Sequence, residues 1–503
     1  MAKICLCLNA KTIKRNLEIL DKYRKYADIA ELRADCLDPD ECFYIRRFPE
    51  QAGMPVILTI RRPIDGGYFS SGEGARVKLF AQGLSFANAD RRRNFAYMDI
   101  EEDLNVPSLE EAARTFGTRI IRSYHRLDGA DDDFPAKIQS MKHSGDEIIK
   151  IAVKVDSTAD VLRLLRTGRK FPKQEKILIG MGHYGVYSRI LAEQFGSCLS
   201  YTSALSEPEA PKAAAGQIDV KELAELYRFR SISAKTKVYG VLGNPLIVTG
   251  SPWFFNTIFG LEDMDAVYVP FPADSVSTFM ELAAELNVSG LSVTVPYKEA
   301  VIPFLNEKSK GVQSIGACNT LSRNNHGWLG TNTDAPGFSD SLLEFLKKKN
   351  LKRMRITIIG AGGVAKAVVS QLHQLGAKAL VLNRTVSKAR ELASLYKFAW
   401  GALDSRGLEK MSGFRDIIIQ TTPVGMANMD DPLDMYAFGG HEVVMDVIYE
   451  PEMTVFLKRA ANAGCLVLNG YDMLIRQARY QYTQFTGKDI PTQFLSRVKF
   501  GEN

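Results

Sequence analysis

The feature that most constrains this sequence is a set of eight short apolar runs in its first half, each followed by a stretch of helix or loop length. The runs are KICLCL from Lys3, IAELRAD from Ile29, VILTIR from Val56, AYMDIE from Ala96, RIIRSYH from Arg119, EIIKIAV from Glu147, KILIGMG from Lys176 and CLSYTSA from Cys198. Strands of a parallel sheet are buried on both faces, so they read as continuous hydrophobic stretches separated by helices. Eight such units are the number that closes a (β/α)8 barrel of the TIM type. An open doubly wound sheet is the alternative that periodicity alone leaves standing.

Polar residues interrupt these runs at matching places. Glu31 and Arg33 fall toward the end of the second run, Arg61 ends the third, Glu101 the fourth and His125 the fifth. Lys150 lies inside the sixth, among Ile148, Ile149, Ile151 and Val153. In such a barrel the carboxyl ends of the strands carry the chemistry, so these six groups are expected at one mouth. Burial disfavours the charged form of a lysine, and an uncharged amine attacks a carbonyl to form a Schiff base. A strand-edge lysine reaching out to water is the structural alternative. His125 on the preceding strand favours the catalytic reading, because an imidazole beside an imine moves protons at the reacting carbons. A lone histidine here would be structural.

With 503 residues the chain is too long for one core, and two large or three smaller domains are expected. The net charge of +6 is spread over 64 basic and 58 acidic residues, which suits small anionic substrates and is no nucleic-acid footprint. Arg91, Arg92 and Arg93 read as a solvated helix end. The 7 cysteines have neither zinc-ligand nor CxxC spacing, which fits a reducing compartment and no metal. No apolar stretch approaches the ~20 residues that span a bilayer, and the amino terminus enters a strand without a signal-like segment. The expected location is the cytoplasm, with no membrane or nucleic-acid partner. Nothing in the sequence sets an oligomeric state.

Several segments of residues 1–227 resemble type I 3-dehydroquinate dehydratase: ELRAD with Glu31 and Arg33, TIRRPIDGG with Arg61, MDIE with Glu101, SYH with His125, KIAV with Lys150, GVYSR with Arg189 and AAAGQ with Gln217. The resemblance implies that Lys150 forms an imine with the ketone of 3-dehydroquinate. His125 would then remove the adjacent proton and protonate the leaving hydroxyl, with Glu101 orienting it. Arg189 would pair with the substrate carboxylate, while Glu31, Arg33, Arg61 and Gln217 hold the ring. The stretch Asp65–Gly74 would be a mobile flap, or else a plain surface loop. Ala213 and Ala215 stand where the family carries a small hydroxyl residue and a proline, which implies altered affinity with the chemistry intact.

Residues 228–236 are polar and read as a flexible linker. Beyond them, RITIIGAGGVAKA from Arg355 runs an apolar strand directly into Gly360-x-Gly362-x-x-Ala365 and a helical pattern. This is the Rossmann fingerprint: Gly360 for the tight turn, Gly362 for close approach of a pyrophosphate, and a helix amino terminus to stabilise its charge. The next strand ends at Asn383 and Arg384, where NAD-binding chains usually carry an acid. Arg384 can pair with a 2′-phosphate, which favours NADP over NAD, and Lys388 adds positive charge. An arginine merely stacked on adenine is the alternative.

The second half also resembles shikimate dehydrogenase in GNPLIVTGSP from Gly243, GLSVTVPYK from Gly290, GACNT from Gly316, GTNTD from Gly330, NRT from Asn383, TTPVGM from Thr421, DVIYEPEMT from Asp446 and NGYDML from Asn469. The resemblance implies a two-domain α/β dehydrogenase. Its substrate domain would be 237–340, completed by a C-terminal helix 473–490, with a Rossmann NADP-binding domain at 350–470. Lys298 and Asp334 would be the catalytic pair: hydride reduction of a ketone creates an alkoxide that needs a proton or a positive partner. Thr249 and Ser251 would bind the substrate carboxylate, with Thr294, Asn319, Tyr449 and Gln477 completing the pocket. Gly363, Thr385, Thr422 and Gly470 would join Gly360, Gly362, Ala365, Asn383, Arg384 and Lys388 around the NADP(H). Val248-Thr249 replaces the usual serine, and Ser292 a frequent asparagine.

The two resemblances together imply a bifunctional enzyme of the shikimate pathway that makes 3-dehydroshikimate and then reduces it to shikimate. A quinate/shikimate dehydrogenase of catabolic role, favouring NAD, is one alternative. A non-catalytic sensor of quinate-type ligands is another, and it would be expected to lack Lys150, His125, Lys298 and Asp334.

Overall fold

A computed structural model describes residues 1–85, 90–141, 145–207, 215–246 and 250–495. It divides into two compact units, Met1–Val288 and Ser289–Arg497.

The first unit opens with eight strands: β1 (Lys3–Leu8), β2 (Ile29–Arg33), β3 (Val56–Thr59), β4 (Tyr97–Glu101), β5 (Arg119–Arg126), β6 (Ile148–Lys154), β7 (Lys176–Met181) and β8 (Leu199–Thr202). They pair in sequence order from β1 to β7, with β8 on the far side of β1. Every laddered pair is parallel. At the remaining seam the Cys198 N–H donates to the Lys176 carbonyl at 2.8 Å. Strands in sequence order whose two ends meet form a barrel, so the open doubly wound sheet is excluded for this half. Side chains alternate across each strand, and the interior-facing set, including Ile57, Ile121, Ile148, Ile177 and Leu199, packs as one apolar core. Lys150 and Ala152 continue the inward alternation of Ile148 along β6.

Residues 228–236 are no slack tether. Phe229 and Ile232 are buried, Arg228 donates to the carbonyls of Phe259 and Met264, and Arg230 pairs with Asp28 at 3.0 Å. The chain then forms the parallel pair β9 (Lys237–Gly243) and β10 (Ala266–Pro272), joined through the helix Ser251–Leu261 and followed by the helix Val276–Glu285.

The second unit holds β11 (Val288–Val293), β12 (Glu307–Lys308), β13 (Thr320–Asn324) and β14 (Gly327–Thr331), in the order β11-β13-β14-β12. A second sheet is wholly parallel, with β15 (Arg355–Ile359), β16 (Lys378–Asn383), β17 (Ala399–Ala402), β18 (Ile417–Gln420), β19 (Val443–Asp446) and β20 (Leu466–Leu468) in the order β17-β16-β15-β18-β19-β20. The order reverses direction at β15, which places a crevice at that strand's carboxyl end. The helix Tyr471–Thr486 lies against the helix Asp334–Leu346: a Cβ on Gly337 would stand 2.9 Å from the Gln477 Cβ. Among the described residues, no helix is long and apolar enough to cross a membrane.

Candidate active sites

The carboxyl ends of the barrel strands surround a pocket lined by Glu31, Arg33, Arg61, His125, Lys150, Arg189 and Gln217. Lys150 Nζ stands 2.8 Å from Asp99 Oδ2 and 4.1 Å from the centre of the Tyr201 ring. The β5–β6 register pairs Lys150 with Ser123, whose hydroxyl donates to Asp99 Oδ1 at 2.5 Å. Arg61 Nη2 reaches Asp99 Oδ2 at 3.1 Å. Burial would raise the Asp99 pKa, but the charges of Arg61 and Lys150 outweigh it and hold the carboxyl far below the usual range. The expectation of a lysine in purely apolar surroundings is therefore corrected: its charge has a buried partner.

His125 is shifted the other way. Burial first, then the positive charges of Arg61 and Lys150, push its pKa well below 6.5. Arg61 Nη1 sits 2.5 Å from Nδ1 and 2.7 Å from Nε2 of the ring. A guanidinium only donates, so this contact needs an unprotonated ring nitrogen. Glu101 does not orient His125 directly. Its Oε2 accepts from Arg76, while its Oε1 stands 3.6 Å from Arg61 Nη1 and has no hydrogen-bond partner among the described residues. The contact to the imidazole is made by Arg61.

The remaining pocket residues are held in different ways. Glu31 accepts from Thr59 at 2.8 Å. Arg33 is clamped by both oxygens of Asp35, at 2.9 and 2.7 Å. Gln217 accepts from Ser203 at 2.5 Å. Arg189 donates to the Tyr201 carbonyl at 3.3 Å, but its Nε is buried without a partner among the described residues, and burial lowers its pKa to about 10. The stretch 65–74 is anchored at its start, where the Phe69 N–H donates to the Arg61 carbonyl and the Tyr68 N–H to Asp35. Asp65 and Ala215 line the pocket. Ala213 lies outside the described residues.

Sequence reasoning missed Asp99, Tyr201 and Arg76. The signal for Asp99 was present: it lies two residues before Glu101, and residues at that spacing share one face of a strand.

In the second unit, Lys298 Nζ lies 2.6 Å from Asp334 Oδ2. Asn319 Nδ2 donates to Asp334 Oδ1 at 2.8 Å and to the Thr333 hydroxyl at 2.9 Å. Asp334 is the first residue of its helix, where the helix dipole favours a carboxylate. Gln477 is buried, with its Oε1 3.5 Å from the Thr333 hydroxyl. One turn on, Gln481 accepts from Ser292 at 2.8 Å and donates to the Asn319 carbonyl. Gln481 was missed, although its i+4 spacing from Gln477 puts both on one helix face. Thr294 and Tyr449 are half-buried. Ser251 opens its helix in the first unit, and Thr249 lies outside the described residues.

The glycine-rich turn fits a dinucleotide. Gly360 has φ +112°, and a Cβ there would meet Thr421 Oγ1 at 2.5 Å, while a Cβ on Gly362 would meet nothing within 4 Å. The turn thus packs tightly on its sheet side and leaves its backbone open at Gly362. Gly363 begins the helix Gly363–Gln374 beside the Lys298 side chain, and Ala365 is buried against the sheet. Asn383 donates to the Thr385 carbonyl at 2.9 Å. Arg384, Thr385 and Lys388 are exposed at the end of β16, and among the described residues Arg384 makes no ion pair. Thr422 donates its N–H to Gln420 at 2.5 Å, and Gly470 lies so close to Val447 that a Cβ would be 2.0 Å from its carbonyl oxygen.

Comparison with known proteins matches residues 4–234 to type I 3-dehydroquinase, 241–321 to the shikimate dehydrogenase substrate binding domain and 344–425 to shikimate / quinate 5-dehydrogenase. The chain is 31% identical to the shikimate biosynthesis protein AroDE of Chlamydia pneumoniae, over 90% of this chain and 89% of that one. It is 29% identical to the chloroplastic bifunctional 3-dehydroquinate dehydratase/shikimate dehydrogenase of Arabidopsis thaliana, over 98% of this chain and 84% of that one. The solved dehydroquinate dehydratase and shikimate dehydrogenase structure from S. pombe AroM covers 99% of this chain and 98% of that one, at 23% identity and a TM-score of 0.44. With a barrel of the first kind and a dehydrogenase of the second in one polypeptide, the chain belongs to the bifunctional 3-dehydroquinate dehydratase/shikimate dehydrogenase family.

Proposed function

We propose that the barrel converts 3-dehydroquinate to 3-dehydroshikimate through an imine on Lys150, and that the second half reduces this product to shikimate with NADPH. The Lys150 amine attacks the ketone carbon, and water leaves as the C=N bond forms. Neutral His125 takes the proton from the carbon next to the imine, and the electron pair forms a C=C bond by expelling the hydroxyl from the adjacent carbon, β to the imine. His125 returns the proton to that hydroxyl, which departs as water, and hydrolysis frees the lysine. Lys150 attacks in its uncharged form, Asp99 stabilises the positive charge of the iminium once it has formed, and Arg61 sets the ring of His125.

The observation that carries the reading is Arg189. It is a buried guanidinium in the same pocket as Lys150 and His125, with an Nε that has no partner among the described residues. A substrate carboxylate supplies the counter-charge such a cation needs.

For the second step, Lys298 donates a proton to the oxygen that becomes the alcohol, while Asp334 holds the lysine and accepts from a ring hydroxyl. Asn319 fixes that carboxylate, and Thr249 and Ser251 bind the acid group. The nicotinamide supplies the hydride. Arg384 and Lys388 bind its 2′-phosphate, and the absence of an acid at 381–390 removes the usual partner of an unphosphorylated ribose.

The test mixes pure full-length chain with 3-dehydroquinate and NADPH and follows nicotinamide absorbance. Oxidation of one NADPH per 3-dehydroquinate is expected. Borohydride with 3-dehydroquinate should trap a covalent adduct that is lost in Lys150→Ala, and an adduct persisting in that variant would refute the assignment.

A further inference from the structure

The barrel and the strands that follow it meet within the first unit. The helix Thr158–Lys170 lies alongside the helix Val276–Glu285 and is tied to it at both ends. Asp274 Oδ1 accepts from Thr158 N–H at 2.7 Å and from its hydroxyl at 2.6 Å. At the other end Arg166 meets Glu285 at 2.6 Å, and Arg169 meets it at 3.2 Å. Two attachments on one helix fix its direction as well as its position.

Against this frame lies the segment His183–Ile190, directly after β7. Gly185 packs so closely on β7 that a Cβ would stand 2.2 Å from the Gly180 carbonyl oxygen, so the segment is seated on the barrel. One of its side chains, Arg189, lines the barrel pocket. Two others point to the dehydrogenase half. The Tyr184 hydroxyl accepts from Asn244 Nδ2 at 3.1 Å. The Tyr187 ring, fully buried, meets the Phe271 ring edge-on at 5.1 Å between centres. Asn244 directly follows β9 and opens the connection to the helix that begins at Ser251.

We propose that the barrel segment His183–Ile190 positions the end of β9 at Asn244, from which the chain leads to Ser251, with Tyr184 as the positioning residue and Tyr187 seating the strand beside it. The proposal rests on the reading that Thr249 and Ser251 serve the second substrate. It makes one short element of the barrel common to both activities, because Arg189 faces one substrate while Tyr184 steadies the segment that faces the other. Tyr184 takes no part in the barrel's own chemistry.

The test uses the full-length chain as Tyr184→Phe, Asn244→Ala and the double variant. In NADP+-dependent shikimate oxidation, Tyr184→Phe is expected to raise KM about fivefold with kcat changed less than about twofold, the effect of one lost hydrogen bond on binding alone. Dehydratase kcat/KM should stay at the wild-type value. The double variant should have the KM of Asn244→Ala, since both changes remove the same contact. Amide exchange at Gly243 and Asn244 should speed up in Tyr184→Phe. Unchanged KM with unchanged exchange, or single effects that multiply in the double variant, would overturn the proposal. The exchange reading stands apart from turnover: a wild-type chain that oxidises no shikimate refutes the functional reading, while exchange still reports on the brace.

Discussion

Asp99 Oδ2 lies between two buried cations, 2.8 Å from Lys150 Nζ and 3.1 Å from Arg61 Nη2. Removing one member of such a group leaves the others uncompensated, which costs about 3 kcal/mol or more. Asp99→Asn keeps the shape and removes the charge. It is expected to destabilise the barrel by that amount in urea unfolding and to lower dehydratase kcat, with the dehydrogenase rate intact. A variant as stable as wild type would mean that water or Glu101 neutralises the pair.

His125 predicts a pH dependence. Its folded pKa lies well below 6.5 because burial and then the charges of Arg61 and Lys150 oppose protonation. The base form therefore persists as the pH falls through 6.5, and the acid limb of dehydratase kcat due to this residue should lie below that value. Stability moves with it. The unfolded chain takes up a proton on this histidine below about pH 6.5 while the folded chain does not, so its contribution turns against folding as the pH drops. His125→Ala should remove this component and lower kcat by roughly 10²–10⁴-fold, while borohydride still traps the Lys150 adduct. Loss of trapping together with kcat would assign His125 to imine formation instead.

The sequence carried the barrel mouth better than its internal wiring. Strand ends place side chains by rule, so the convergence of Glu31, Arg33, Arg61, His125 and Lys150 was legible from eight apolar runs. Which carboxylate serves which cation was not. Asp99 and Glu101 share one strand face, and strand register alone sets Glu101 level with Lys150 through Ser123, yet it is Asp99 that meets the lysine while Glu101 faces Arg76 and Arg61. The clamp on Arg33 by Asp35, two residues away, was open to inspection, but as part of ELRAD it read as family pattern. The packing of residues 228–236 was hidden for a different reason: a polar stretch reveals its buried Phe229 and Ile232 only once Arg228 and Arg230 find distant partners. In the second unit, the Lys298–Asp334 pair spans 36 residues, and no local periodicity reports such a contact.

Arg384 predicts the coenzyme preference. It stands exposed at the end of β16 with Lys388 nearby and makes no ion pair among the described residues. A charge-assisted hydrogen bond to a phosphate contributes about 1.5–3 kcal/mol. Arg384→Ala should therefore raise KM for NADP+ about 10–100-fold in shikimate oxidation and leave KM for NAD+ nearly unchanged. Equal loss with both coenzymes would show that the arginine contacts the adenine or pyrophosphate they share.

Asp446 makes a prediction about stability alone. Its side chain is fully buried, with Oδ1 accepting from Ile448 N–H at 3.0 Å and Oδ2 from the Thr454 hydroxyl at 2.8 Å. Burial outweighs these two bonds and raises its pKa from 3.8 to about 6. The folded state thus holds this proton more tightly than the unfolded state. The stability it contributes is fully present below pH 3.8 and is lost as the pH rises through about 6. Asp446→Asn retains an acceptor for Ile448, and its amide can donate to the Thr454 hydroxyl, but it carries no charge at any pH. In urea unfolding at pH 8 the variant should be more stable than wild type by roughly 3 kcal/mol, about half of that difference should remain at pH 5, and it should vanish below pH 3.8. A difference of equal size at both pH values would mean that the carboxylate is stabilised by a charge or water the burial argument omits.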